Sequence, residues 1–373
     1  MRLFDKALRP VILIGNGARG ADCAKLLRLG VPVLSTWMAP DIVDNNDPMY
    51  FGRPGAYGQR CANRILFEAD YILSIGCRCA IMAVGYAGFR PDQRVVMVDV
   101  DEAEIKKFPD ATPILWDARK FVAELEHDTT YPAWLSNCHN WRVAYPWVEP
   151  AMDNDSYISP YRFMQRLQPF LRKDEVITTD CGTGNVCAQQ VLRLKPPQRL
   201  IAAGGLGEMG SGLPGAIGAS FARNKGEVLC LNNDGGMMLN LQELQTVVHH
   251  KLPIKIIVFS NDGYAMIRRS QRTLGYDITG VSADTGLSMP SFVKVAQSFG
   301  IISAAVRTWS DFEKAIPELF SASGPALIEV FTDPEQVFLK LNPIMVDGKP
   351  TSPEFWNLSP VIVPKLLTEA DIA

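Results

Sequence analysis

Short apolar runs recur along most of this chain, each ending in glycine or polar turn formers. Between many of them apolar positions repeat at helical spacing. In the first part the runs lie at residues 11–15, 31–34, 71–76 and 95–98, with helices predicted over 21–29 and 61–68. They resume at 175–179, 228–231, 254–259, 302–306 and 326–330. The intervening stretch from 127 to 159 is polar, aromatic and proline-bearing, with a helix expected around 134–143. Domain boundaries favour such stretches. Short buried strands alternating with helices are the pattern of mainly parallel sheets covered on both faces. The sequence therefore predicts two doubly wound α/β domains, a Rossmann-like one over 1–150 that includes the linker and a second over 151–335, followed by a tail over 336–373.

Composition adds bounds. With 373 residues and 47% hydrophobic content, the chain can bury two ordinary cores. A net charge of −3 gives no reason to expect nucleic acid or an anionic membrane as partner. No apolar stretch approaches the roughly 20 residues of a membrane span, and the amino terminus lacks a signal-peptide pattern. The eight cysteines are scattered, and Cys77 and Cys79 stand too close together and alone for a zinc ribbon. Reduced thiols in the cytoplasm are the expectation.

The richest chemistry lies around residue 234. The run at 228–231 ends in Asn232-Asn233-Asp234-Gly235-Gly236, and 240–250 then carries Leu241, Leu244, Val247 and Val248 at helical spacing. A second buried run at 254–259 leads into Ser260-Asn261-Asp262-Gly263. A strand, helix, strand order of this length is a right-handed crossover, so the residues just past both strands share the carboxyl edge of one sheet. Asp234 and Asn261 should face one cleft. A hard divalent ion such as Mg²⁺ takes one or two protein oxygens and leaves phosphates and water to complete its shell. The backbone amides of Gly235 and Gly236, where a helix begins, can point at a diphosphate.

On these residues the chain resembles the thiamin-diphosphate-dependent enzymes, in particular the acetolactate synthase large catalytic subunits. The family signature is Gly-Asp-Gly, a spacer, then Asn-Asn. Here it reads Asn233-Asp234-Gly235 and Ser260-Asn261, so both outer positions depart from the pattern. The segments 203–214, 240–244 and 251–256 are also similar to acetolactate synthase. The resemblance implies a magnesium held by Asp234, Asn261 and the main-chain oxygen of Gly263. It implies thiamin diphosphate contacts at Gly184, Asn185, Gly207, Gly235, Gly236 and Met266. Met209 falls at the family position of a large apolar side chain that wedges beneath the cofactor and bends it. The reaction implied is decarboxylation of a 2-oxo acid such as pyruvate, followed by ligation to an acceptor carbonyl or by protonation.

Other motifs read more blandly. Gly15-Asn16-Gly17-Ala18-Arg19-Gly20 follows a strand as a dinucleotide fingerprint should, but the next strand runs into Ser35-Thr36 where an acidic residue is wanted. A tight turn is the better reading. The family's middle domain often carries FAD, and the stretch from Phe51 to Gly58 with Gly76-Cys77-Arg78 matches its counterpart weakly, so FAD stays an open alternative that is not predicted, beside a domain that only packs between others. The glycines at 204, 205, 207, 210, 212, 215 and 218 suggest a ligand or very tight packing. His249 and His250 suit a helix C-terminus. Glu243 reads as structural, and neither it nor Glu208 occupies the activating position.

The family's activating glutamate belongs to a separate pyrimidine-binding domain, for which the segment ahead of the strand at residue 11 leaves no room. The expectation is one subunit of a split enzyme that takes this glutamate from a pyrimidine-domain partner. The alternatives are a truncated product and a non-catalytic binding or assembly subunit. Uncovered apolar surface further predicts an oligomer. The tail, rich in turn formers around Asp347-Gly348-Lys349-Pro350, reads equally as a cover for an active site and as surface packing.

Overall fold

Apolar residues on every position of the central strands leave no face for water, and such strands need helices on both sides. In the computed structural model, which describes residues 3–85, 88–342, 344–346, 349–351 and 358–360, they build two all-parallel sheets. The chain divides into two compact units. One comprises Met1–Trp147, Arg193–Pro196 and Phe338–Ala373; the other comprises Val148–Leu192 and Pro197–Val337.

The first unit holds β1 (Pro10–Ile14), β2 (Val33–Ser35), β3 (Tyr71–Ile75), β4 (Arg94–Asp99) and β5 (Thr112–Leu115), in the order β2-β1-β3-β4-β5. The glycine motif at the end of β1 does not open the expected helix over 21–29. A 3₁₀ turn at Asn16–Ala18 and a 3₁₀ helix at Cys23–Arg28 stand there instead, bracketed by Gly20 and Gly30 at φ +91° and +70°. Gly15 is glycine because a Cβ would lie 2.1 Å from the carbonyl oxygen of Gly76. Likewise Gly55 could carry no side chain beside the Met82 carbonyl, 1.7 Å from its Cβ position. Backbone approach within this unit accounts for both.

The described parts of the tail bond within the first unit. Leu341 N donates to Ala56 O at 2.6 Å, and Arg60 Nη1 donates to Leu358 O at 2.6 Å. Residues 343, 347–348, 352–357 and 361–373 of the expected tail, with Asp347 and Gly348 among them, lie outside the described residues.

The second unit holds β6 (Val176–Thr179), β7 (Arg199–Ala202), β8 (Val228–Asn233), β9 (Ile254–Ser260), β10 (Ile302–Val306) and β11 (Ala326–Phe331). Their order is β10-β11-β9-β8-β6-β7, so the winding reverses between β6 and β8. Every residue of β8 and β9 is buried. Leu213, Val228, Leu244, Ile254 and Phe292 join one core cluster that seats helices against this sheet. The region predicted as one helix over 240–250 begins only at Glu243, because a separate short helix, Asp234–Met238, precedes it and Asn240 Nδ2 turns aside to Gly210 O at 2.7 Å. The strands β5 and β7 escape the apolar-run reading because as edge strands they expose alternate or irregular positions.

Candidate active site

Reversal of winding opens a crevice at the carboxyl ends of neighbouring strands, where doubly wound sheets bind ligands. Asp180 follows β6, Asp234 follows β8 and Asn261 follows β9 at this edge. A small cavity of about 80 Å³ is lined by Thr183, Met209, Asp234, Gly235, Gly236 and Asn261, with Gly263, Tyr264 and Met266 beside them. That volume suits a metal ion and a phosphate rather than a whole organic cofactor, whose pockets run to several hundred Å³.

Asp234 knits the site together. Its Oδ2 accepts from the backbone amides of Asn261 at 2.8 Å and Gly263 at 3.1 Å, while Oδ1 accepts from Gly235 N at 2.9 Å. Burial nevertheless pushes its carboxyl up to about 6, against the opposing pull of those three amides. Asn261 donates Nδ2 to Thr183 Oγ1 at 3.2 Å. Its Oδ1 has no hydrogen-bond partner although the residue is only 4% exposed. An unpaired buried amide oxygen is costly, and a hard cation is one kind of partner whose chemistry would satisfy it. The next turn carries Asp262 at φ +59° and Gly263 at φ +129°, and a Cβ on Gly263 would lie 2.0 Å from Val281 O. Asp234, Asn261 and the backbone at Gly263 are thus gathered on one side of the cavity, an oxygen-rich donor set that suits Mg²⁺.

Behind them stands a second buried carboxylate. Asp180 accepts Asn233 Nδ2 on Oδ1 at 2.8 Å and Gly210 N on Oδ2 at 3.0 Å, and burial pushes it up to about 7. Its grip on Gly210 places the neighbouring Met209, whose Cε comes within 3.2 Å of a Cβ built on Gly235. The Tyr264 ring comes closer still, 2.3 Å from the same Cβ position. Asp180 and Tyr264 were not singled out as functional from sequence. An acidic residue directly after the second domain's first strand was the available signal for Asp180; Tyr264 offered none beyond its place three residues after Asn261.

Of the residues implied by resemblance, Met209, Asp234, Gly235, Gly236, Asn261, Gly263 and Met266 meet at this cavity. Three stand apart. The Gly184 amide, expected to offer itself to a diphosphate, is donated to Asn233 Oδ1 at 2.8 Å. Asn185 is buried on the same helix, Thr183–Val191, with its Oδ1 unpartnered, outside the cavity lining. Gly207 is exposed at φ +68° with open space around its Cβ position, so its conformation rather than crowding calls for glycine. Gly205 and Gly218 also face open space, whereas Gly210 and Gly212 are closely packed against protein atoms.

Ser260, where the family has asparagine, donates to Glu329 Oε1 at 3.2 Å and so points into the sheet. Glu208 is exposed, and no glutamate lines the described cavity. His249 and His250 pack edge to face on each other, and His250 also packs on Phe221. All eight cysteines are free thiols.

A doubly wound parallel sheet with a buried aspartate, an asparagine and glycine-rich turns at the carboxyl ends of its central strands defines an α/β ligand-binding domain. Comparison with known families narrows this class. Residues 180–330 match the thiamine pyrophosphate enzyme C-terminal TPP binding domain, and residues 1–125 match the thiamine pyrophosphate enzyme central domain. The chain belongs to the thiamine pyrophosphate enzyme family. It is similar to a probable acetolactate synthase large subunit of Methanococcus aeolicus, 30% identical over 371 residues that cover 92% of this chain and 61% of the relative. The corresponding protein of Methanocaldococcus jannaschii is 30% identical, covering 95% and 64%. Acetolactate synthase isozyme 2 large subunit of Escherichia coli is 29% identical, covering 89% and 61%. The chain thus spans somewhat over three-fifths of the length of these relatives.

Proposed function

We propose that this chain is the thiamin diphosphate- and Mg²⁺-binding part of an acetolactate synthase-like decarboxylase and carboligase acting on a 2-oxo acid such as pyruvate. The observation that carries the reading is the buried, unpartnered Oδ1 of Asn261 beside Asp234, which asks for a cation at the place where the family binds one. Asp234, Asn261 and the Gly263 main chain would hold the metal, while the missing side chains of Gly235 and Gly236 let Tyr264 and Asp180 approach the turn closely. When bound, thiamin diphosphate supplies a thiazolium carbon that adds to the 2-oxo acid carbonyl and takes up the electron pair released with carbon dioxide.

This chain's residues bind and orient. Asp180 holds the Met209 turn through Gly210 N, so that Met209 lies over Gly235 where it can set the bend of the cofactor. Tyr264 packs beside Met209 on Gly235 and, as part of the cavity wall, would help to exclude water there. The activating carboxylate comes from outside the described cavity, whose lining includes no glutamate, and a pyrimidine-binding domain is its proposed source. The open cavity also favours an oligomer in which other surfaces complete the site. Eight free thiols suit a reducing compartment, the cytoplasm. Among the described residues no helix is long and apolar enough to cross a membrane.

The test is calorimetric titration of thiamin diphosphate with Mg²⁺ into the purified chain, beside an Asp234→Ala variant. Saturable binding to the parent that weakens at least about 100-fold in the variant is expected, since removing a charged ligand from a buried site costs several kcal/mol. Equal binding by both proteins would sink the assignment of the metal site.

A further inference from the structure

The chain departs from its family signature at Asn233, and the structure gives that departure a consequence. Asn233 ends β8 with extended backbone, φ −121° and ψ 158°, so nothing in its conformation demands this residue type. Its side chain reaches across the switch point to the start of the helix Thr183–Val191. There Oδ1 accepts the Gly184 amide at 2.8 Å, and Nδ2 donates to Asp180 Oδ1 at 2.8 Å and to Cys181 O at 2.5 Å. The carboxamide lies against Gly182, whose Cβ position is 3.0 Å from Nδ2.

A helix start presents amides that its own backbone leaves unbonded, and they are the usual donors to a bound anion. Here Val186 N bonds Gly182 O at 2.9 Å as an intrahelical contact, and the helix's own N-cap, Gly182, supplies no side-chain acceptor. Asn233 serves as that cap from a neighbouring strand. With glycine at this position, as in the family pattern, the Gly184 amide has no such partner and is free for a phosphate oxygen. Asn233 also sits in the cavity lining together with Asp234 and Asn261, so it borders the space a diphosphate would enter.

We propose that Asn233 is a specificity-determining residue of the diphosphate cradle: its carboxamide occupies the anion-binding amide of Gly184, and anion capture is left to the metal held by Asp234 and Asn261. This inference rests on the proposed thiamin diphosphate reading and refines it. The site should bind a diphosphate only with its divalent ion, and more weakly than an otherwise identical site with glycine at 233.

The experiment titrates Mg²⁺ with inorganic pyrophosphate, and separately Mg²⁺ with thiamin diphosphate, into the full chain and its Asn233→Gly and Asn233→Ala variants. The Ala variant keeps the extended backbone should Gly prove too unstable, and unfolding temperatures verify that each protein is folded. Pyrophosphate binding at least tenfold tighter in a folded variant than in the parent is expected, because a hydrogen bond to a charged acceptor is gained at the freed amide. Unchanged, weaker or undetectable pyrophosphate binding in both folded variants would overturn the inference and mark Asn233 as a structural cap. The thiamin diphosphate titration of the parent against Asp234→Ala judges the underlying functional reading independently, so the two can fail separately.

Discussion

At the scale of single residues, space between backbone and side chain decides more than residue type. Gly236 lies so close to Asp180 that a Cβ would stand 1.7 Å from Oδ2. Asp180 cannot withdraw easily, because it is fixed by Asn233 and by Gly210 N. We therefore expect Gly236→Ala to destabilise the chain by about 1–3 kcal/mol, the usual cost of overpacking, read as a lower urea midpoint with unchanged slope. A variant as stable as the parent would mean that Asp180 has room to move. The meeting of Asp234 and Asn261 at one cavity was legible in the sequence, since it follows from the strand, helix, strand spacing. The commitment of Gly184 to Asn233 was not, because the partners are 49 positions apart and only the fold brings them together.

At the scale of elements, the strongly apolar strands were read within a residue or two, whereas β5 and β7 were missed. The reason is physical: central parallel strands are buried on both faces and announce themselves. So do the edge strands β2 and β10, whose residues are mostly apolar, whereas β5 and β7 are four-residue edge strands in which Thr112, Pro113 or Arg199 breaks the run. Helix starts are written more locally. The helix Trp309–Ser321 begins with Thr308, whose hydroxyl accepts Asp311 N at 3.2 Å while Asp311 Oδ2 accepts Thr308 N at 2.9 Å. This reciprocal cap holds the Asp311 carboxyl below the ordinary range, chiefly through the Arg307 amide and the Thr308 hydroxyl. Thr308→Ala should cost about 1 kcal/mol, measurable as a drop in unfolding temperature, and Thr308→Ser should restore most of it. If Ala and Ser behave alike, the cap contributes nothing.

At the scale of the whole molecule, the second unit leaves several large apolar side chains uncovered, one of them in the cavity lining. Leu206 is 92% exposed, Leu239 51% and Leu274 58%, with Ile267 from the cavity lining at 41%. Single exposed leucines are ordinary, but several large apolar side chains exposed on this unit favour association. The chain should sediment above its 41.2 kDa monomer mass at micromolar concentration, and Leu206→Asp with Leu239→Asp should shift it toward monomer. A single monomeric species across a dilution series would refute this. By itself the sequence determined the α/β class, through buried runs and crossover spacing, and the family, through its resemblance to known members over several motif segments, and it placed Asp234 and Asn261 at one sheet edge. Only the tertiary structure decided which amides remain available at the switch point, that Asp180 stands behind Gly236, and that Asn261 keeps an unpaired oxygen. These depend on distances between chain segments far apart in sequence, set by how three parallel strands converge at one edge.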